Sequence, residues 1–246
     1  MACASVPERR ERSRRDALER FSRNLNELGR MTMRLIRFAP LTGLVYAVLS
    51  FVAFATASGA PKAGDSGAKV IAFYNSHGSS ARASDQLWVL AFVFFVFFAA
   101  TVCSRGGGTP TGGLRWVVAS GAAVLMAGAA VYFGFDFVLA SSRSDLTPTA
   151  AQAINLLALK LFFPVGAGGL IFGVGAGLMI VRGSLLPRWL GWAAIAVGVA
   201  TVTGVPGLML LAIWSAVASI LFFRRTDRIP APGMAGSPVA AAGQGA

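Results

Sequence analysis

Residues 86–104 read QLWVLAFVFFVFFAATVCS, a run without one charged side chain. A helix needs about 20 such residues to cross the ~30 Å hydrocarbon core of a bilayer. A run this uniform also leaves no polar face for a water-soluble globule to present. Comparable apolar stretches begin near residues 37, 115, 153, 188 and 206. Charged residues make up only 13% of the 246-residue chain, about half the ~25% usual for soluble domains. Mean hydropathy is +0.66. The expected fold is therefore all-α, a polytopic membrane protein built as a bundle of six transmembrane helices.

The spans are placed at about 37–57, 86–104, 115–140, 153–181, 188–204 and 206–223, within a transmembrane domain covering 37–224. Between the first two, AKVIAFYNSHG reads as a short interfacial helix, capped by Asp65 or Ser66 and stopped by Gly78. Thr147–Pro148 is a helix-start signal before the fourth span, and GVPG a tight hairpin between the last two. Residues 225–246, rich in Pro, Ala and Gly, have little to bury and are expected to be a disordered tail.

The net charge of +12 would point to nucleic acid in a soluble protein. Its placement points to lipid headgroups instead. Residues 1–37 carry ten arginines against five acids, and Leu18, Phe21, Leu25 and Leu28 recur at helical spacing. The segment 1–36 therefore reads either as a basic amphipathic helix lying on anionic lipid or as a partly disordered tail that only sets topology. Its polar length is too great for the n-region of a signal peptide. With six spans and both termini cytoplasmic, 17 of the 22 basic residues fall on the inner side, as the positive-inside rule requires. Trp116, Trp189 and Trp192 then belong to the inner aromatic belt and Trp88 to the outer one. The expected partners are the bilayer, anionic lipids at the N-terminal segment, and other membrane proteins, with no nucleic acid.

Two ionisable residues fall well inside the spans, Asp136 near the outer end of the third and Lys160 near the outer end of the fourth. A carboxylate at mid-membrane costs ~2.5–3.5 kcal/mol even on translocon scales. Opposite charges at matching depth on neighbouring antiparallel helices make an Asp136–Lys160 pair the simplest compensation. Pro164 frees the carbonyl of Lys160, and Tyr132 lies one turn from Asp136. Asp136, Lys160, Tyr132 and Asn155, with Trp88 beside them, form the candidate intramembrane polar site. On the opposite face of the fourth span, Gly169, Gly173 and Gly177 repeat every four residues, a stripe that permits close helix contact.

At 185–199 the chain reads LLPRWLGWAAIAVGV. Pro187 suits a helix start, Arg188 holds the inner side, and Trp189 and Trp192 anchor at headgroup level. This inner-interface hinge, together with VIAFYNSHGSSARAS after the first span, resembles a family of uncharacterised bacterial integral-membrane proteins. They are grouped under a domain of unknown function and have a Pro-Arg-Trp-Leu-Gly hinge between spans four and five. The resemblance covers roughly 35–225 and implies a six-helix fold in a bacterial plasma membrane. It implies no reaction, and the arginine-rich N-terminus departs from the pattern.

No Ser/His/Asp set, paired intramembrane carboxylates, phosphate-binding loop or H-E-x-x-H is readable, so no enzyme, cofactor or metal site is expected. His77 has no second His or Cys near it, and Cys3 and Cys103 form no framework. The functional expectation is an accessory or interaction protein of the plasma membrane, with a small transporter or ion-coupled permease using Asp136–Lys160 as the alternative.

Overall fold

The computed structural model describes residues 38–56, 59–105, 112–142, 145–183 and 186–226. The basic segment at 1–36, the glycine-rich turn after Arg105 and the tail beyond Thr226 lie outside them. The chain divides into two compact units, Met1–Ala39 and Pro40–Ala246, and the helices below belong to the second. They are α1 (Thr42–Thr56), α2 (Gly67–Arg105), α3 (Leu114–Ser141), α4 (Pro148–Lys160), α5 (Phe163–Arg182), α6 (Arg188–Ala200) and α7 (Val205–Thr226). A 3-10 turn, Thr201–Thr203, extends α6. Five stretches are long and apolar enough to cross a membrane: Ala39–Thr56, α2, α3, Pro148–Arg182 and Val205–Arg225. Arg188–Thr203 is a shorter apolar helix. The protein is an all-α, multi-pass membrane protein.

Two helix boundaries differ from those expected. The interfacial helix and the second span are one continuous helix of 39 residues, α2. Gly78 does not stop it. A glycine inside a helix costs only about 1 kcal/mol, and Val70, Tyr74, Gly78 and Ala81 continue one buried face through that point. At 1.5 Å per residue α2 is ~58 Å long, nearly twice a hydrocarbon core, so its first half stands beyond the apolar stretch. Ser66 Oγ accepts from the N–H of Lys69 at 3.4 Å, and Asp65 accepts from Lys62 N–H at 2.8 Å and Lys69 Nζ at 2.7 Å. The Lys69 hydrogen bond, then that of Lys62, holds the Asp65 carboxyl below the usual carboxylate range. This exposed corner therefore keeps its ties above the ordinary carboxylate pKa and loses them as pH falls through the lowered value.

The fourth span is broken. The N–H of Leu161 closes α4 on the carbonyl of Leu157 at 2.9 Å, and α5 opens with Val165 N–H on the carbonyl of Phe162 at 3.0 Å. Pro164, in the first turn of α5, has no N–H to carry the ladder across the junction. The 20 residues of α5 already measure ~30 Å, enough for one crossing. The α4 helix packs on the first half of α2. Thr147 starts it as expected, its Oγ1 accepting from Ala150 N–H at 3.3 Å with Pro148 at the first position. Val70, Tyr74 and Ala81 of α2, Leu139 and Ala140 of α3, and Ala151 of α4 form an apolar cluster of their own. Gly67 lies directly against the carbonyl of Pro148.

The main core is held around α5. Gly168 and Gly175 face α3 at Leu125 and Val118, and Gly121 of α3 lies against the backbone of Phe172. On its other side Gly169, Gly173 and Gly177 meet Thr201, Gly198 and Gly191 of the α6 segment. Thr201 Oγ1, 3.0 Å from the Gly166 carbonyl and 2.6 Å from that of Gly198, ties the two helices where they approach. Between α6 and α7 the chain reverses at Gly204, whose φ of 98° favours glycine. At the opposite end of the bundle, Arg105 Nη1 donates to the carbonyl of Phe222 at 3.2 Å, joining the C-termini of α2 and α7. Arg115, Arg182, Arg188, Arg224 and Arg225 belong to helix ends on this same side. Trp116, Trp189 and Trp192, 68%, 59% and 61% exposed, surround it as interfacial anchors would. Pro187 precedes α6 in extended conformation, its carbonyl accepting from Leu190 N–H at 3.0 Å.

Candidate functional site

At the end of the bundle away from these arginines lies a cavity of about 170 Å³. Its polar wall is Tyr74 and Asp85 from α2, Tyr132 and Asp136 from α3, and Asn155 from α4. Its apolar wall includes Phe54, Trp88, Phe133 and Phe162. Trp88 stacks on Phe133 at 5.7 Å between centroids, and Tyr132 meets Phe162 edge-on at 5.3 Å. These ring contacts fix the faces that the cavity presents. Ser84 Oγ donates to the carbonyl of Ala53 at 2.9 Å, and Asn155 Nδ2 to the carbonyl of Lys62 at 3.1 Å. The end of α1 and the loop after it are thereby closed over the site.

Asp136 does not pair with Lys160. Its Oδ1 accepts a hydrogen bond from the Tyr74 hydroxyl, and its carboxyl lines the same cavity as that of Asp85. Lys160 is the last residue of α4, exposed, and makes no ion pair with Asp136. The physical reason is the break at Leu161–Phe162. It ends α4 at Lys160, which is exposed and does not line the cavity that holds Asp136. Asp85 lies twenty residues before Arg105 and Asp136 twenty-one after Arg115. Both carboxyls are therefore ~30 Å along the helices from the basic end, the full thickness of a hydrocarbon core. Truncating the lysine follows directly: Lys160→Ala is expected to change stability by less than ~0.5 kcal/mol. Exchanging Asp136 and Lys160 will not restore what Asp136→Lys alone disturbs, which unfolding of the purified variants measures.

Of the residues singled out from sequence, the cavity brings together Asp136, Tyr132, Asn155 and Trp88 and leaves out Lys160. Trp88 is not an interfacial anchor. It is only 6% exposed and belongs to the cavity wall. Asp85 and Tyr74 were not among the expected site residues. Asp85 immediately precedes the uncharged run 86–104, outside the segment where a charge is costly. The available signal was the spacing of Tyr74 and Asp85, eleven residues apart, about three helical turns and so on one face. It becomes visible only once the helix is taken through Gly78. Asp85 is 4% exposed, and its Oδ2 has no hydrogen-bond partner among the described residues. Among the described residues lining the cavity there is no Lys, Arg or His. No group of three or more potential metal-ligating side chains occurs among the described residues.

Two carboxyls, one of them buried with an oxygen that has no hydrogen-bond partner among the described residues, lined by aromatic rings and lacking a basic neighbour there, form a receptor for positive charge. No protein-family model, curated protein or solved structure matches the chain.

Proposed function

We propose that this is a six-pass protein of a bacterial plasma membrane, with both termini cytoplasmic, that receives a small organic cation in the Asp85–Asp136 cavity from the outer face. In this arrangement the crossings are α1, α2, α3, α5, α6 and α7, with α4 and the first half of α2 forming an outer cap. The arginines at the opposite end, and the ten before residue 38, support that orientation through the positive-inside rule. The accessory role expected from sequence draws on exposed apolar helix faces, which any bundle presents to lipid; the cavity is the more specific feature.

The observation that carries this reading is the pair of carboxyls in a cavity of about 170 Å³ without a basic counterpart. That volume is close to the ~150 Å³ of a cavity known to admit benzene, so it suits a solute of one ring or a few methyl groups. Trp88, Phe133 and Tyr132 offer ring faces and edges to its apolar part, and cation–π contact contributes ~0.5–2 kcal/mol. The same acidic locus supports the transporter alternative better than the Asp136–Lys160 pair did.

Calorimetric titration of the full chain in lipid nanodiscs tests the reading. Benzylammonium is expected to bind saturably and benzyl alcohol, its neutral counterpart, at least tenfold more weakly. Equal affinity for the two, or binding of neither, would remove the cation site.

A further inference from the structure

We infer that Asp85 and Asp136 hold one proton between them when the cavity is empty, and that an entering primary ammonium ion displaces it. Cation binding and proton release are then linked one for one. This rests on the cation-site reading above and adds to it the class of ligand and the ion with which it exchanges.

An ionised carboxylate only accepts hydrogen bonds. Asp136 receives one from Tyr74, while Asp85 is buried, lines the same cavity, and keeps Oδ2 without a partner among the described residues. Two carboxyls lining one small, partly dry cavity repel when both are charged, and one proton held between them removes that repulsion. The groups facing the pair supply no cation. From α2 there are Tyr74 and Asp85 themselves, from α3 Tyr132 and Asp136, and from α4 the neutral Asn155. The end of α1 and the start of α7 contribute Phe54, Val205 and Leu208. Lys62 lies near by but gives the site only its carbonyl, through Asn155, and its side chain is exposed.

Geometry holds the two carboxyls together. Tyr74 ties Asp136 of α3 to α2, and Trp88, three residues after Asp85, stacks on Phe133, three residues before Asp136. The carboxyls therefore have little freedom to separate, and their charge is balanced from within the cavity. A shared proton leaves the pair with one negative charge. A primary ammonium brings one positive charge and three N–H donors, enough to bond Asp136 and the open Oδ2 of Asp85 together. The exchange balances: the ammonium enters, the O–H bond of the shared proton breaks heterolytically, and the proton leaves to water with no redox change. A quaternary ammonium matches the charge but cannot donate, so it leaves Asp85 Oδ2 unbonded and binds more weakly.

The experiment is calorimetric titration of benzylammonium into the full chain in nanodiscs, in paired buffers of different ionisation enthalpy, from pH 5 to 9. The expected result is about one proton released per cation bound where the pair holds its proton. Across that range apparent affinity rises about tenfold per pH unit and flattens above it. Asp85→Asn is expected to bind more weakly and release no proton. The wild-type proton count alone decides the matter if that variant does not fold. Benzylammonium binding without proton release at any pH overturns this inference and leaves the cation site standing. Absence of binding removes the site and the inference with it.

Discussion

Replacing Asp136 with asparagine is expected to weaken benzylammonium binding by about 30-fold or more, equivalent to ~2 kcal/mol, while the protein remains folded. The substitution keeps the size and planarity of the side chain. The Tyr74 hydroxyl still has an oxygen to donate to, so the tie between α2 and α3 survives. What disappears is one of two negative charges facing the cation in a cavity whose described lining has no other ionised group than its carboxyls. Losing a charged partner in a desolvated site costs ~2–5 kcal/mol, whereas an exposed contact of the same kind costs less than 1. Tyr74→Phe is a useful companion. It removes a donor to Asp136 without touching the charge, so it should change affinity severalfold and no more. Calorimetry gives the affinities, and circular dichroism confirms the helices. Unchanged affinity in Asp136→Asn would mean that the ligand does not reach the carboxyl.

Much of this architecture was legible in the sequence, because lipid imposes a simple requirement. Every backbone group must be satisfied within its own helix, so a long uncharged run has one solution. Residues 86–104 end α2 where their charge pattern said they would, and Thr147–Pro148 starts α4. The glycines at 169, 173 and 177 face another helix, whose contacts Gly191, Gly198 and Thr201 form no four-residue repeat of their own. What misled were residues whose effect depends on their surroundings. Gly78 has the composition of a stop, yet tertiary contact on the buried face of α2 carries the helix through it. Pro164, expected to free one carbonyl within a continuous span, lies instead where one helix has ended and the next begins, and Lys160 ends the first of them away from Asp136. The lysine was the obvious partner by charge and depth. The actual neighbours, Tyr74 and Asp85, belong to a helix that seemed to have ended and begun again between them.

The site depends on packing well away from it, and Gly168→Leu should show this. A Cβ at position 168 would fall on the backbone nitrogen of Leu125 and 2.5 Å from its Cα. Overpacking costs ~1–3 kcal/mol where neighbouring side chains can turn aside. Here the obstacle is main chain on a helix with Gly121 pressed on Phe172 a turn away, so α3 and α5 must part along their length. A loss of ~3 kcal/mol or more is expected, at or above the top of that range, measured by reversible unfolding in bicelles. Binding should fall with it, although Leu125 is eleven residues from Asp136, ~16 Å along α3. Any tilt of α3 carries Asp136 away from Asp85, which α2 holds in place. Gly134→Leu separates this mechanism from a general intolerance of bulk. Gly134 is on the same helix, two residues from Asp136, but a Cβ there meets nothing within 4 Å. That variant should keep both stability, within ~1 kcal/mol, and benzylammonium affinity. If the distant Gly168→Leu binds normally and Gly134→Leu does not, the carboxyls are positioned by their own segment of α3 and not by its docking on α5.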